Sequence, residues 1–429
     1  MSSKTKLAIH TLGCRANQYQ SFALKSKFKT QNSKLLNFGE PADIYIINTC
    51  TVTADADKKS RNAIRRALKL AKKVIVTGCY ARLKGEKLKE MFPEIHLTPL
   101  IPLSIFDGEG ETPTKVGEGV RIRENLMIED GCENFCSYCI VPYARGKVKS
   151  KPIPKIIEES NLLVEAGVKE IILTGINLGE YGKNVEATFR SPNGGLPPEA
   201  DPCLPAGTAP SAEKTAATLA NVIQEISKIE NLLRIRLSSI EPQYITDELI
   251  ETIKDNPKVC NYLHIPLQSG DDKILKLMNR KYTRGDYINL INKIRNAIAD
   301  CGISADIIVG HPGEGEAEFQ NTIDLVKEIQ FSRLHIFTFS KRDLTAASNF
   351  PDQVDVKIKK ERYGVLKKLR SKYMKQFAEK YLGKEVEMLV EQKGEGLTSN
   401  YIRVRFNDPE DSTGKLCKMF IAQDNVILD

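Results

Sequence analysis

The stretch MIEDGCENFCSYCIVPYARG, residues 127–146, places Cys132, Cys136 and Cys139 in one C-x3-C-x2-C run and supplies no fourth cysteine. Iron–sulfur cubes and structural zinc ions ordinarily take four protein ligands. The spacing is neither that of a bacterial ferredoxin nor the paired C-x2-C units of a zinc ribbon. Three thiolates on one loop can hold three irons of a [4Fe–4S] cube and leave the fourth iron open to an added ligand. The run follows a strand-like segment, ENLMIED, and the pattern on either side of it decides the fold.

Downstream, EIILTGIN, LRIRLSSI, YLHIPLQS, ADIIVGHP and RLHIFTFS read as strands, with helical stretches between most of them. Together with ENLMIED they give six units over residues 122–354. That is the pattern of a partial (β/α) barrel of about six strands, with its site at the C-terminal strand ends. A Pro-, Gly- and Ala-rich insertion at 186–215 interrupts the alternation and is expected to be exposed.

Upstream, residues 1–105 alternate in the same way. KLAIHTLG, ADIYIINT and KKVIVTG read as strands and 17–30, 54–70 and 80–91 as helices, so a parallel α/β domain is expected. A Gly/Glu/Pro/Thr-rich linker follows at 106–121. TLGCRANQ, INTCTVTA and VTGCYARL each set a cysteine, Cys14, Cys50 or Cys79, where a strand ends and a helix begins. Neighbouring strand ends of a parallel sheet lie side by side on the edge where ligands bind. Three thiolates are therefore expected to converge there, again without a fourth.

The C-terminal part changes character. Residues 355–381 form a basic stretch in which Val365, Leu369, Tyr373 and Phe377 have helical spacing. Within 382–429, KEVEMLVEQ, YIRVRF, LCKMFIAQ and NVILD read as short strands of a small β-barrel. Alternation in YIRVRF puts Tyr401, Arg403 and Arg405 on one face. Residues 382–429 hold six Lys or Arg against nine Asp or Glu, so any nucleic-acid contact there belongs to one face.

Charge and cysteine usage narrow the class. The chain of 429 residues carries a formal charge of +8, concentrated in two stretches. Residues 58–73 hold eight Lys or Arg and no acid, and residues 357–380 hold ten against Glu361 and Glu379. Such local surplus is the footprint of a phosphate-bearing partner, or of a solvated helix face. There is no apolar run of membrane-spanning length and no signal-peptide core, so a cytoplasmic location without membrane association is expected. In that compartment patterned cysteines point to metal or catalysis. Cys203, Cys260, Cys301 and Cys417 fall in no pattern and read as packing or surface thiols.

CENFCSYC resembles the signature of the radical S-adenosylmethionine (SAM) superfamily, in which SAM chelates the open iron and is cleaved to a 5′-deoxyadenosyl radical. A second three-cysteine set ahead of such a core resembles the methylthiotransferase family, whose order is a three-cysteine domain, a radical SAM barrel and a TRAM β-barrel. The likeness covers nearly the whole chain and includes NTCTVT, YCIVPYARG, RLSSIEP, HIPLQSGDDKILKLMNRKYT and DIIVGHPGE. TLGCRANQYQS and NTCTVTADADKKSR are most similar to the branch acting on threonylcarbamoyladenosine beside the tRNA anticodon. The sequence departs from the family at His311, where Phe is usual, and in the length of the insertion.

The resemblance implies two [4Fe–4S] clusters, on Cys14, Cys50 and Cys79 and on Cys132, Cys136 and Cys139. The first carries a sulfur that one SAM methylates; the second, with another SAM, yields the radical that allows transfer to C2 of the adenine. Tyr138 resembles the residue near the SAM adenine. Polar residues at barrel strand ends, Thr174, Asn177, Ser239, Glu241, Gln268 and Asp306, are the expected SAM contacts, or else caps and turns. His264 and His311 are expected to be structural.

The expected partner is a tRNA anticodon stem-loop, held at phosphates by Lys367, Lys368, Arg370, Arg403 and Arg405. An external electron donor such as flavodoxin or ferredoxin and a sulfur source are also implied. Isopentenyladenosine in tRNA and a ribosomal-protein aspartate are the alternative substrates. An iron–sulfur electron carrier or a zinc-dependent RNA-binding module would need only the cysteines.

Overall fold

A computed structural model describes residues 4–29, 33–98, 121–184 and 217–427. Most of the linker, the insertion at 186–215 and Cys203 lie outside the described residues.

The N-terminal part is one parallel sheet with three helices. It contains β1 (Thr5–Thr11), α1 (Arg15–Lys29), β2 (Ser33–Leu36), β3 (Ala42–Thr49), α2 (Ala54–Leu68), β4 (Ala71–Gly78), α3 (Cys79–Met91) and β5 (His96–Leu97). The strand order is β2-β1-β3-β4-β5, and every pair is parallel. The strands preceding Cys14, Cys50 and Cys79 are therefore neighbours, with the Cys50 strand in the middle. Apolar strand residues such as Tyr45, Ile47, Val74 and Val76 pack against Ile64 and Leu88 of the helices. Thr53 caps α2 by accepting from the Ala56 N–H at 3.1 Å. The edge strands β2 and β5 are additions to the expected set; each is too short to show a pattern in the sequence.

The second part holds β6 (Arg123–Met127), a short hairpin of β7 (Glu129–Asp130) and β8 (Lys149–Ser150) around α4 (Val141–Arg145), α5 (Ile153–Glu165) and β9 (Glu170–Thr174). It continues with α6 (Leu219–Ser227), β10 (Arg234–Leu237), α7 (Asp247–Asp255), β11 (Tyr262–His264), α8 (Asp272–Leu277) and α9 (Arg284–Ala297). It closes with β12 (Gly302–Val309), α10 (Glu316–Ile329) and β13 (Arg333–Thr338). Backbone hydrogen bonds order these strands into two parallel three-stranded sheets, β10-β9-β6 and β11-β12-β13, joined where Ser239 bridges His264 and Ile235 bridges Val259. The result is a six-stranded partial barrel, as the alternation predicts. Among the described residues β6 and β13 are not paired, and α1 of the N-terminal part lies beside β6. There Gln18 accepts from Asn125 Nδ2 at 3.3 Å, and Tyr19 donates to buried Glu159 at 2.7 Å.

After the barrel come α11 (Val356–Glu379) and a five-stranded antiparallel sheet of β14 (Glu385–Gln392), β15 (Glu395–Thr398), β16 (Arg403–Arg405), β17 (Leu416–Phe420) and β18 (Val426–Ile427). Of the expected stripe on α11, Tyr373 is buried and Leu369 and Phe377 are partly buried against the neighbouring cores, while Val365 is exposed and Leu366, with Arg362, is buried in its stead. Arg370, expected at the solvent face, is half-buried with its Nε enclosed. Tyr401 does not share an outer face with Arg403 and Arg405: it has a left-handed φ of 76° and turns into the barrel. Its ring packs against that of Tyr262, tilted by 34° with centroids 4.4 Å apart.

A buried charge cluster fastens the C-terminal sheet to the barrel. Glu170, fully buried, accepts from Arg123 Nε and Arg236 Nε, each at 2.7 Å. Arg236 also donates to Ser399 O at 2.9 Å and Thr398 O at 3.3 Å, and Arg234 donates to Leu397 O at 2.6 Å. Arg123 additionally pairs with Glu391. Among the described residues no helix is long and apolar enough to cross a membrane.

Candidate active site

Two adjoining cavities open at the C-terminal ends of the barrel strands. The first, about 280 Å³, is lined by Cys132, Cys136 and Cys139. The second, about 630 Å³, is lined by Cys14, Cys50 and Cys79. Val52, Val141, Ile176, Ser239, Asp306 and Phe337 face both.

The first loop is held rigidly. At Gly131 (φ +95°) a Cβ would lie 2.1 Å from the Lys147 carbonyl, so only glycine fits. Cys132 N–H donates to Gly146 O at 3.1 Å, Ser137 N–H to Met278 O at 3.1 Å, and Ala347 N–H to Ser137 O at 2.7 Å. Phe135 adopts a left-handed φ of 44°, which Asn279 supports by donating Nδ2 to the Asn134 and Phe135 carbonyls at 3.2 Å each. Burial, and then the neighbouring Cys136, push the Cys139 thiol up to about 12; Cys132 is likewise pushed up to about 12, chiefly by burial. Such thiols ionise when a cation takes the sulfur.

Around them, Tyr138, Asn177, Ser239, Glu241, Gln268 and Asp306 all line the first cavity. Thr174, expected among them, lines the second cavity instead, with its hydroxyl turned to Ile172 O at 3.1 Å. Asn177 is buried, and neither its Nδ2 nor its Oδ1 has a hydrogen-bond partner among the described residues. A buried amide left unsatisfied costs about 1–3 kcal/mol, so a polar ligand is the natural occupant. Arg280, invisible as a site residue in the sequence, ties the wall together. It pairs with Glu241 and donates to Cys136 Sγ at 3.5 Å and Tyr138 OH at 3.4 Å. His311 is outside the cavity, as expected of a structural histidine. It is buried edge-on against Phe339 at 5.4 Å and meets Ser137 Oγ at 3.2 Å; burial pushes it down to about 4.

The second cavity is built on the sheet edge. At Gly13 (φ +102°) a Cβ would lie 2.9 Å from Cys50 Sγ, so the Cys14 turn closes tightly on Cys50. Asn17 fixes that turn by donating to Leu12 O at 2.7 Å and Thr49 O at 3.1 Å. Burial raises Cys79 to about 11, Arg145 pulls it down, and Cys14 and Cys50 push it up, so the three thiols sense one another. Arg145, from the YARG end of the first loop, donates to Asp130 at 2.7 Å and Asn17 Oδ1 at 2.6 Å. It bridges the two cysteine sets. Arg342 locks the Cys50 loop to the barrel through Thr51 Oγ1 at 2.6 Å and Asp57 at 2.8 Å. Neither arginine carries a spacing signal in the sequence, because their partners lie far along the chain.

Both cysteine trios suit a cluster better than a single ion. Among the described residues, the one group of three His, Cys, Asp or Glu ligand atoms within 4.8 Å of one another is His264, Asp306 and His335. Neither trio is that compact, whereas four ligands at about 2.0–2.3 Å around one zinc ion must be. Cys260 and Cys301 are buried away from both sets.

The N-terminal segment, residues 6–98, matches the uncharacterized protein family UPF0004, and residues 127–326 match the radical SAM superfamily. A threonylcarbamoyladenosine tRNA methylthiotransferase MtaB from Bacillus subtilis is 34% identical, over 97% of this chain and 94% of its own. One of the same name from Aquifex aeolicus is 36% identical, over 97% of this chain and all of its own. The chain belongs to the radical SAM tRNA methylthiotransferase family. A tRNA-2-methylthio-N6-dimethylallyladenosine synthase from Clostridium novyi is also 34% identical over 97% of this chain and 94% of its own, so family membership leaves two base substrates in play. The fold resembles the radical SAM methyltransferase TsrM from Kitasatospora setae, with a TM-score of 0.54 at 12% identity over 81% of this chain and 77% of that one.

Asn177→Leu keeps the branched side-chain shape but removes both unsatisfied amide atoms from the first cavity. SAM affinity is expected to fall about tenfold or more, the value of one to two hydrogen bonds to a charged ligand. Equilibrium dialysis measures it, and unchanged affinity sinks the assignment.

Proposed function

We propose that this enzyme adds a methylthio group to C2 of threonylcarbamoyladenosine beside the anticodon of tRNA. The observation that carries the reading is the pair of adjoining cavities, each walled by three cysteines without a fourth. Sulfur insertion at an aromatic C–H needs a radical source and a sulfur source, and two three-thiol sites facing one space answer both needs. When bound at Cys132, Cys136 and Cys139, a [4Fe–4S] cluster with SAM on its open iron supplies the radical, and a second cluster on Cys14, Cys50 and Cys79 supplies sulfur.

The chain's own residues position and enclose. Arg280 sets Glu241 and Tyr138 on the SAM wall, and Asn177, Ser239, Gln268 and Asp306 supply polar contacts there. Val52, Val141, Ile176 and Phe337 form the apolar part of the shared wall, beside Ser239 and Asp306, and limit water near a radical. Phe135 and Tyr143 are exposed and meet edge to face at 5.7 Å beside the first loop; they are candidate stacking surfaces for a splayed base.

The choice of threonylcarbamoyladenosine is supported by the motifs around Cys14 and Cys50 and by the two MtaB relatives. Isopentenyladenosine is the alternative, favoured by the Clostridium novyi relative. Nucleoside mass spectrometry of tRNA from cells lacking the protein separates them: 2-methylthio-threonylcarbamoyladenosine is expected to disappear, and loss of the isopentenyl product in its place refutes the reading.

For tRNA binding, Lys367 and Lys368 are exposed on α11, where phosphates can reach them. Arg403 is paired with Glu391 at 2.8 Å and Arg405 with Glu395 at 3.0 Å, so their charge is partly neutralised within the sheet. Reversing both lysines, K367E with K368E, is expected to weaken stem-loop binding and to lower the slope of log K against log salt by about 1–2. An unchanged slope in a salt titration removes α11 from the interface.

A further inference from the structure

We infer that Arg15, together with Arg333, forms a carboxylate-binding subsite that grips the threonylcarbamoyl side chain and excludes the neutral isopentenyl one. The inference deepens the substrate reading above and rests on it. Both arginines line the second cavity with Tyr401, in the same space as Cys14, Cys50 and Cys79. Arg15 follows Cys14 directly at the start of α1. Arg333, His335 and Phe337 alternate along β13 and all face this cavity. In adenine, C2 and the carbon bearing N6 are separated by N1 alone. A base whose C2 faces the thiols therefore carries its N6 substituent within the same chamber.

The charge around Tyr401 is unevenly neutralised. Burial pushes its phenol up, but Arg15, Arg123, Arg236 and Arg333 outweigh this and hold it below the usual tyrosine range. Arg123 and Arg236 are neutralised by Glu170 and Glu391. Arg15 is different: its Nη1 is buried and has no hydrogen-bond partner among the described residues. The carboxylate on the wall, Asp306, lies 3.2 Å from His264 Nε2 and does not supply one. A buried guanidinium donor without an acceptor is costly, and a planar carboxylate matches its fork. An isopentenyl group brought to the same place leaves that donor unmade, which is discrimination by penalty against the wrong substrate. Arg333, whose guanidinium lies 4.9 Å from the centre of the Tyr401 ring, adds a second positive charge from β13.

The test uses the reconstituted full-length enzyme and four anticodon stem-loops. These carry threonylcarbamoyladenosine, its methyl ester, isopentenyladenosine or unmodified adenosine at the modified position. The wild type is expected to bind the free acid more tightly than the ester. R15Q is expected to lose about 10- to 100-fold for the free acid, the effect of one charged hydrogen-bonding group. It is expected to erase the preference over the ester and to leave the unmodified stem-loop within about twofold. R333Q is expected to act in the same direction, and R15K to recover part of the loss. Equal weakening of all four stem-loops by R15Q means that the arginine holds backbone phosphate and overturns the inference. So does loss of iron from R15Q, which would assign Arg15 to the cluster on Cys14. A wild type that prefers isopentenyladenosine overturns the substrate reading and the inference together, whereas preference for threonylcarbamoyladenosine with no effect of R15Q overturns the inference alone.

Discussion

Cys50→Ala is expected to abolish methylthio transfer while 5′-deoxyadenosine formation from SAM and reductant continues, and Cys136→Ala is expected to abolish both. The distinction follows from where the thiols sit. Cys136 belongs to the loop that lines the first cavity, the one proposed for SAM, and is touched by Arg280. Cys50 stands at the end of the central strand β3, on the second cavity only. Under the proposed function, removing one of three cluster ligands disables its own site, and each site carries one half of the chemistry. Neither change threatens the fold, since each removes a sulfur from a cavity wall and inserts nothing into the tight Gly13–Cys50 approach. Chromatographic assay of both products in one reaction checks this. Methylthio transfer surviving in C50A, or 5′-deoxyadenosine surviving in C136A, contradicts the division of labour.

Glu170→Gln has the largest expected effect on stability. The carboxylate is buried between Arg123 and the fully buried Arg236. Burial alone would raise its pKa, but the two guanidiniums, Arg236 foremost, hold it down to about 2. Neutralising one member of a buried charge cluster leaves the others uncompensated, a loss of about 3–5 kcal/mol. Because Arg236 and Arg234 also carry the Leu397–Ser399 carbonyls, the C-terminal sheet should loosen with the barrel. The folded-state pKa is depressed, so the stabilisation is complete above the unfolded value near 4.5 and is lost as pH falls from there towards 2. Urea melts at pH 7 and pH 4 are expected to show a gap between wild type and E170Q that narrows at the lower pH. A gap below about 1 kcal/mol at pH 7 would mean that the cluster is not stabilising in this sense.

The elements that sequence shows clearly are those whose cause is local. Strand–helix alternation exposes β1, β3, β4 and the six barrel strands, because each buries an apolar run against helices on the sheet faces. The glycine–cysteine steps at Gly13–Cys14 and Gly78–Cys79 mark strand ends for the same local reason, and the sheet order then makes those ends neighbours. What escaped is set by distant partners or by single dihedral angles. Arg145 meets Asn17 from 128 residues away, and Arg342 meets Asp57 from 285 residues away; no spacing rule reaches so far. Tyr401 reads as an outward strand residue until one positive φ turns it into the barrel. Thr174 sits at a strand end like the other expected SAM contacts, yet the pleat directs it to the neighbouring cavity. The stripe of α11 reads through Val365 because the sequence offers adjacent apolar residues, and packing against β13 selects Leu366.

The proposal that this chain holds two clusters, each on three cysteines with one iron left open, stands or falls on its iron and sulfide content. The anaerobically reconstituted protein is compared with a variant in which Cys14, Cys50 and Cys79 are all alanine. About eight irons and eight sulfides per chain are expected in the wild type, and about four of each in the variant. About four irons in both proteins, or zinc in place of iron in the wild type, would contradict it.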